Sequence, residues 1–429
     1  MSLRPVFLAL CALLLSPLVA ADFTPADEQR ARAVTGSPAF RAVVAAFERD
    51  YERFVAQLIQ LNEIPAPPFG EKARGEAFAK LLADAGLTGI TTDAEGNVIA
   101  LRRGRGTAPL LCVAAHLDTV FPAGTDVKVK RQGNRLIAPG VGDDTRGLAF
   151  VLAFARALRE AKYETAGDLL LVGNVGEEGP GNLRGIRHLF TQGEWKGKIG
   201  RFLSVDGGNL DLVTNGALGS LRYEITFRGP GGHSWGAFGT VSPAFAMGEA
   251  IAQLGRLKVT RSPKVTYNVG VLSGGTSVNS IPFSVAMEVD LRAVDPAALK
   301  QVDADLKRIV NEAVETENAA RSTTAGRITA EMKLMGERPS GVTRPDTPAG
   351  RQVAATMHVF DKVPVWETSS TDANIPISLG IPAFAIARNS AGKSGRSHAL
   401  DEWVDIEKTQ GVKDFELAAA LILTLAELP

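Results

Sequence analysis

The chain has 429 residues, and 47 Lys and Arg balance 47 Asp and Glu. Zero net charge gives no basic field for nucleic acid or an anionic membrane. With 45% hydrophobic and 22% charged residues, wholesale disorder and a coiled-coil rod are excluded. The length accommodates about two to three domains with well-buried cores.

The first stretch stands apart. Arg4 is the only charge before Asp22, and Val6–Leu15 is an apolar run of the length of a signal-peptide core. Pro17 and then Val19-Ala20-Ala21 fit cleavage after Ala21. The run is shorter than the ~18–20 apolar residues that span a bilayer, which argues against a retained anchor. Leu10 before Cys11 argues against a lipoprotein. The expectation is therefore a signal peptide over residues 1–21, export to the periplasm or the medium, and no membrane contact after cleavage. Removal of Arg4 leaves a net charge near −1, and removal of Cys11 leaves Cys112 alone, so no intramolecular disulfide can form.

Apolar residues at helical spacing predict an amphipathic helix over Ala39–Leu61 and a second over Glu76–Ala85, closed by Gly86. Asn97–Leu101 and Leu110–Ala114 read as strands, the second wholly apolar and so buried on both faces. Arg102–Gly106 between them, with no interleaved aromatics, reads as a hairpin turn rather than an RNA-binding segment. Gly147–Ala161 is a helix, and Leu169–Val175 and Phe202–Val205 are further buried strands. Alternating strands and helices indicate an α/β sheet with helices on both sides.

The pattern changes near residue 214. Ser220–Arg228 alternates Leu221, Tyr223, Ile225 and Phe227 on one face, then come a helix near Ser242–Leu254 and strands near Val265–Leu272 and Val285–Arg292. A helix over Pro296–Glu317 and a strand over Gly326–Lys333 complete β-α-β-β-α-β, the ferredoxin-like order. After Pro339 the α/β character returns with helix Thr347–His358, strand Ala383–Ala387 and a last helix near Lys413–Leu425. The small unit, 214–330, is thus expected to be inserted between two parts of a larger domain, 22–213 and 331–429.

Only five histidines occur, and a lone histidine is most often structural. Three have informative neighbours. His116, in AAHLDTV, follows a buried strand, and the carboxyl ends of parallel strands are where ligands gather. Alternation lets Asp118 face the same side and hold the imidazole. GVGDDTRG, Gly140–Gly147, places two carboxylates in a glycine-rich turn before a helix, where an N-cap is the plain alternative. Glu177 and Glu178 adjoin at the end of another buried strand, where like charges repel unless a cation or a shared proton compensates. Asp206 ends a third strand, and His398 in RSHALDEW supplies another imidazole. His116, Asp143, Glu178, Asp206 and His398 form a nitrogen and oxygen donor set suited to zinc; manganese and cobalt suit the same donors.

As a set, HLDTV, GxGDD, EEG, VDGG, GGHSW, GGTSVNSIP and SHALDEW resemble, in order, the motifs of the dinuclear zinc exopeptidase family. That family includes peptidase T, glutamate carboxypeptidase, aminoacylase, carnosine dipeptidases and acetylornithine deacetylase. The likeness covers residues 40–429 and is nearest to the peptidase T-like members. It implies a three-layer zinc-peptidase catalytic domain with a ferredoxin-like lid that forms a homodimer, and two zinc ions per subunit. By resemblance His116 and Asp206 hold one ion, Glu178 and His398 the other, and Asp143 bridges them, with a cis peptide between Asp143 and Asp144. Glu177 matches the general base, and Asp118 the acid orienting the first histidine. Thr145 departs from the family, where many members carry Lys.

The resemblance further implies that His233, in the lid, reaches the partner subunit's site and stabilises developing charge, the alternative being a turn histidine. Asn279 and Arg292 match lid residues that contact substrate, although a strand-end arginine can simply be solvated. ETSSTDAN, Glu367–Asn374, either lines the pocket or caps a helix. His188 and His358 match nothing and read as structural. The expected activity is hydrolysis of short peptides by an aminopeptidase or di/tripeptidase, since Asp at position 206 goes with family members needing a free amino end. A carboxypeptidase or N-acyl-amino-acid amidohydrolase is the alternative. A binding protein that has lost its chemistry is the remote one, because the base and all five donors are present.

Overall fold

The computed structural model describes residues 23–207, 209–387 and 389–429. The expected signal segment, 1–21, lies outside the described residues. Among those described, no helix is long and apolar enough to cross a membrane.

The larger unit is built on a nine-stranded mixed sheet. Its central strands, Gly167–Asn174, Ala108–His116, Ile199–Gly207 and Ala383–Ala387, lie side by side in that order and all parallel. Strand Ala108–His116 alternates between two apolar layers. Leu111, Val113 and Ala115 pack with helices Pro38–Arg49, Thr145–Glu160 and Lys408–Ala426, whereas Cys112 and Ala114 pack with Arg184–Thr191 and Asn374–Ser378. Burial on both faces is why the strand reads as one apolar run. Cys112 is buried as a free thiol.

Several sequence expectations need correction. The helix expected over Ala39–Leu61 is two helices, Pro38–Arg49 and Tyr51–Asn62, broken at Asp50. Asp50 leaves helical geometry, and its carboxylate takes Arg156 at 3.0 Å. The bend lets Phe47, Tyr51 and Phe54 cluster, with Phe47 stacked on Phe415 of the last helix at 3.9 Å. Arg102–Gly106 is no hairpin. Strand Gly167–Asn174 lies between Val98–Arg102 and Ala108–His116, antiparallel to the first and parallel to the second. The arginine-rich segment therefore crosses over the end of that strand, where Asp168 holds the Gly104 N–H at 2.8 Å.

The smaller unit is a four-stranded antiparallel sheet ordered Val265–Gly274, Ser284–Ala293, Gly219–Arg228, Thr329–Arg338. Helices Pro243–Arg256 and Pro296–Ala320 pack with it around a core of its own, giving the expected β-α-β-β-α-β order. The expected boundaries each cut a strand. Leu212–Ala217 still belongs to the large sheet, and Thr329–Arg338 belongs wholly to the small one, so the crossings fall at Leu218 and Pro339. A second small sheet, formed by Lys130–Gln132, Arg135–Ile137, Trp403–Asp405 and Ser394–Gly395, had no periodic signal because its strands are only two or three residues long.

Candidate metal centre

Parallel strands put their carboxyl ends on one edge, and the residues that end or follow them meet there. His116 closes its strand fully buried. Its Nδ1 lies 3.0 Å from the main-chain oxygen of Asp118 and 3.6 Å from that residue's carboxylate. Its Nε2 lies 3.1 Å from Asp143 Oδ1 and 3.9 Å from Asp206 Oδ1. The buried Asp118 carboxylate accepts the main-chain N–H groups of Glu177 at 3.1 Å and Glu178 at 2.8 Å. One carboxylate thus ties the loop after His116 to the turn carrying both glutamates. Burial pushes the Asp118 carboxyl up, but the His116 ring and these N–H groups together hold it below its ordinary value.

His398 sits across the cavity, its backbone at φ 66, a left-handed conformation rare for a histidine. Its Nε2 is 3.1 Å from Glu178 Oε1 and 3.4 Å from Asp143 Oδ2. Donor atoms of His116, Asp143 and Asp206 lie within 4.8 Å of one another, as do those of Asp143, Glu178 and His398, and those of His116, Glu177 and Glu178. Asp143 is common to the first two groups. The peptide between Asp143 and Asp144 is cis.

The electrostatics of this edge favour a cation. Burial lowers the basicity of the His116 imidazole, yet the Asp118 and Asp143 carboxylates raise it well above its ordinary value. The His398 imidazole is pushed up to about 10, by Asp143 first and then Glu178. The negative charge that raises both imidazoles equally favours a divalent cation, which binds such donors in place of protons. Imidazole and carboxylate donors at this spacing fit a pair of zinc-like ions.

Glu177 is buried, and burial drives its carboxyl well above the ordinary range against the opposing pull of Arg338. Arg338 Nη1 lies 3.0 Å from Glu177 Oε1 and 3.0 Å from Ser370 Oγ, and its other arm donates to the Glu177 main-chain oxygen. Arg338 ends the last strand of the small sheet, so the small unit is fastened directly to Glu177. Deeper in, burial raises the Asp372 carboxyl to about 7, with nearby Asp206 adding to the effect. Asn174 donates to it at 2.7 Å.

A cavity of about 470 Å³ opens over these groups, lined by Asp143, Glu177, Glu178, Asp206 and His398 on one side. Arg222 and Arg292 of the small sheet line the other. The two guanidinium groups share Asp290, at 3.4 Å from Arg222 and 2.7 Å from Arg292. Arg292 is thus a cavity residue rather than a solvated strand end. Ser369, Ser370 and Thr371 also line the cavity, while Asn374 accepts the Thr371 N–H. Of the two readings of the ETSSTDAN run, the cavity-lining one holds, because helix Asn374–Ser378 has no side-chain cap. Thr145 is buried and hydrogen-bonds Asn62 and Gly140.

His233 and Asn279 are not among the residues lining this cavity. Both are exposed on a two-stranded ribbon, Gly232–His233 against Ser280–Ile281. His233 Nδ1 accepts the N–H groups of Trp235 and Gly236, and the Asn279 carbonyl accepts that of Ser234. His358 packs against Phe23 with ring centroids 5.1 Å apart. His188 sits in helix Arg184–Thr191, and neither is in a group able to hold a metal among the described residues. Arg222 and Arg338 carry no signal in the sequence, since an arginine in a strand gives no local sign of what it faces, whereas Asp372 belongs to the ETSSTDAN run.

Residues 112–427 match the model of peptidase family M20/M25/M40. The chain belongs to that family. It is accordingly a hydrolase of peptide or amide bonds with candidate metal-binding residues at the strand ends. A succinyl-diaminopimelate desuccinylase of Corynebacterium glutamicum is 24% identical over 264 residues, which is 60% of this chain and 69% of that protein. Aminopeptidase PepT of Bacillus cereus shares the fold with a TM-score of 0.71 at 20% identity, covering 88% of this chain and 99% of that one. A dinuclear metal-binding M20 peptidase of Bacillus subtilis gives 0.64 at 18% identity, covering 88% and 99%.

Proposed function

We propose that the chain is an exported, zinc-dependent exopeptidase that hydrolyses short peptides as an aminopeptidase or di/tripeptidase. The observation that carries this reading is the pair of donor groups sharing Asp143, with buried Glu177 beside them. His116 and Asp206 would hold one ion, Glu178 and His398 the other. Bound there, divalent ions supply Lewis acidity and lower the pKa of a water towards neutrality.

The chain's own groups do the rest. Glu177 takes the proton of the attacking water and returns it to the leaving amine. Burial favours this, because it raises the Glu177 carboxyl well above its ordinary range and so makes it a stronger base than a solvated carboxylate. Asp118 keeps the His116 ring oriented, its Nδ1 turned to that residue and its Nε2 to Asp143. Arg222 and Arg292 face the site from the lid and suit a substrate carboxylate.

Those two arginines also favour a second reading, a carboxypeptidase or N-acyl amidohydrolase with the same metal centre. The desuccinylase relative, whose name specifies an acidic acyl group, points the same way. Turnover of one short peptide by the zinc-loaded protein, beside its N-acetylated and C-amidated forms, separates the two. Loss on N-acetylation alone supports the aminopeptidase reading. Cleavage that survives acetylation but needs the free carboxylate overturns it.

The proposal extends to a homodimer through the lid, with His233 serving the partner's site. Its support is an apolar surface beside His233, where Trp235, Phe238 and Val278 are 86%, 91% and 103% exposed. Strand Val265–Gly274 at the edge of the small sheet also exposes Val271 and Leu272, and such a surface marks an interaction site. Mixing inactive His233→Ala and Glu177→Ala proteins should restore activity above both parents. No recovery at any ratio contradicts action across subunits.

A further inference from the structure

Four residues after His398, Glu402 begins the segment that forms the second small sheet. It is 1% exposed. Its main-chain oxygen accepts the Ala138 N–H at 2.9 Å, continuing the pairing of Trp403 with Ile137. That register carries its side chain under the loop that follows Ala138. There Oε2 accepts the Gly140 N–H at 2.9 Å, while Oε1 accepts those of Gly142 at 2.8 Å and Asp143 at 2.7 Å. Three main-chain N–H groups converge on one carboxylate, the arrangement by which peptide nests hold anions.

The loop is shaped around this carboxylate. A Cβ on Gly142 would lie 2.8 Å from Glu402 Oε1, so a side chain there would push the acid away. Gly140 adopts φ 75, and its carbonyl is closed by the Thr145 hydroxyl at 2.8 Å. The acceptor of the Asp143 N–H is thus an ion on the loop that also carries His398. Charge-assisted bonds of this length are the strong ones. A buried anion beside an edge already crowded with carboxylates is costly unless the centre is to receive cations.

We propose that Glu402 is a positioning residue for the metal centre: its carboxylate fixes the Gly140–Asp143 loop and so sets Asp143 between His116 and His398. The inference rests on the metal-centre reading above. Glu402 itself touches neither substrate nor reacting atoms; it acts through the main chain of Asp143. It also locks together the two loops that carry Asp143 and His398, so that the donors meet in one geometry before a cation arrives. Groups that orient ligands in this way typically change metal affinity 10- to 100-fold when altered.

The test uses the full chain stripped of metal. Zinc affinity is read by competition with a chromophoric chelator, and folding by thermal melting of the metal-free forms. Glu402→Gln keeps the shape but turns an N–H₂ towards main-chain donors. It should melt cooperatively and bind zinc at least ~10-fold more weakly than the wild type. Gly142→Ala disturbs the same contact from the loop side and should weaken zinc in the same direction. Because both break one contact, the double variant should lose little beyond the larger single loss. A folded Glu402→Gln protein whose zinc titration superimposes on the wild type overturns the proposal, as do single losses that multiply in the double variant. If Glu402→Gln does not fold, Gly142→Ala decides, and wild-type zinc affinity there overturns it. A wild-type chain that binds no zinc would instead sink the metal-centre reading itself.

Discussion

The carboxyl edge of the large sheet and the ribbon of the lid treat their marked residues in opposite ways. At the sheet edge, His116, Asp143, Glu177, Glu178, Asp206 and His398 converge from five segments, with His116, Glu177 and Glu178 buried, Asp143 and Asp206 half-buried and His398 exposed. On the ribbon, His233 and Asn279 neighbour each other but face solvent, beside the exposed Trp235 and Phe238. Parallel strand topology brings the first set together within one chain. The second leaves polar and apolar groups side by side on the surface, and the dimer proposal rests on that exposure. Arg292 stands between the two cases, in the lid yet already on the cavity wall.

That contrast can be broken most forcefully at the sheet edge. Stripping divalent ions with a chelator should abolish turnover, and zinc, manganese or cobalt should restore it, as followed by a continuous peptide-hydrolysis assay. Glu177→Gln should lower kcat by roughly 10²- to 10⁴-fold while zinc content, counted by mass spectrometry, stays at the wild-type level. Removing a charged hydrogen-bonding partner costs about 1.5–3 kcal/mol. Arg292→Ala or Arg222→Ala should accordingly lower kcat/KM by about 10- to 100-fold for substrates with a free carboxylate, and far less for their amides.

On the lid side, Phe283→Asp places a charge on a residue 61% exposed beside the ribbon. It should shift the mass measured by light scattering from dimer to monomer and lower activity with it, leaving thermal stability nearly unchanged. The smallest effect is expected at the crossover segment. Arg103 is largely exposed and pairs with Asp168 at 2.8 Å. Arg103→Ala should change unfolding free energy by no more than about 0.5 kcal/mol, measured in denaturant.

What was legible in the sequence follows the same division. The strand-end motifs could be read because His116, Glu178 and Asp206 each lie within a few residues of a buried apolar strand, and the sheet topology does the rest. The β-α-β-β-α-β order of the lid was legible from alternation and helical spacing. Arg338 and Glu402 were not, since each acts on residues more than 150 positions away and neither sits in a periodic pattern. The arginine-rich crossover is not legible because a turn between two strands looks the same in sequence whether or not a third strand is inserted between them. The break at Asp50 was hidden by apolar spacing that continues through it, although Phe47 and Phe54 belong to different helices.

The most direct test of the central claim is a titration of metal-free protein with zinc, with turnover of a short peptide followed at each step. A centre built from two donor groups sharing Asp143 predicts activity that rises from zero and levels off at two equivalents per chain. Metal-free protein that turns over as fast as the zinc-loaded protein would contradict it.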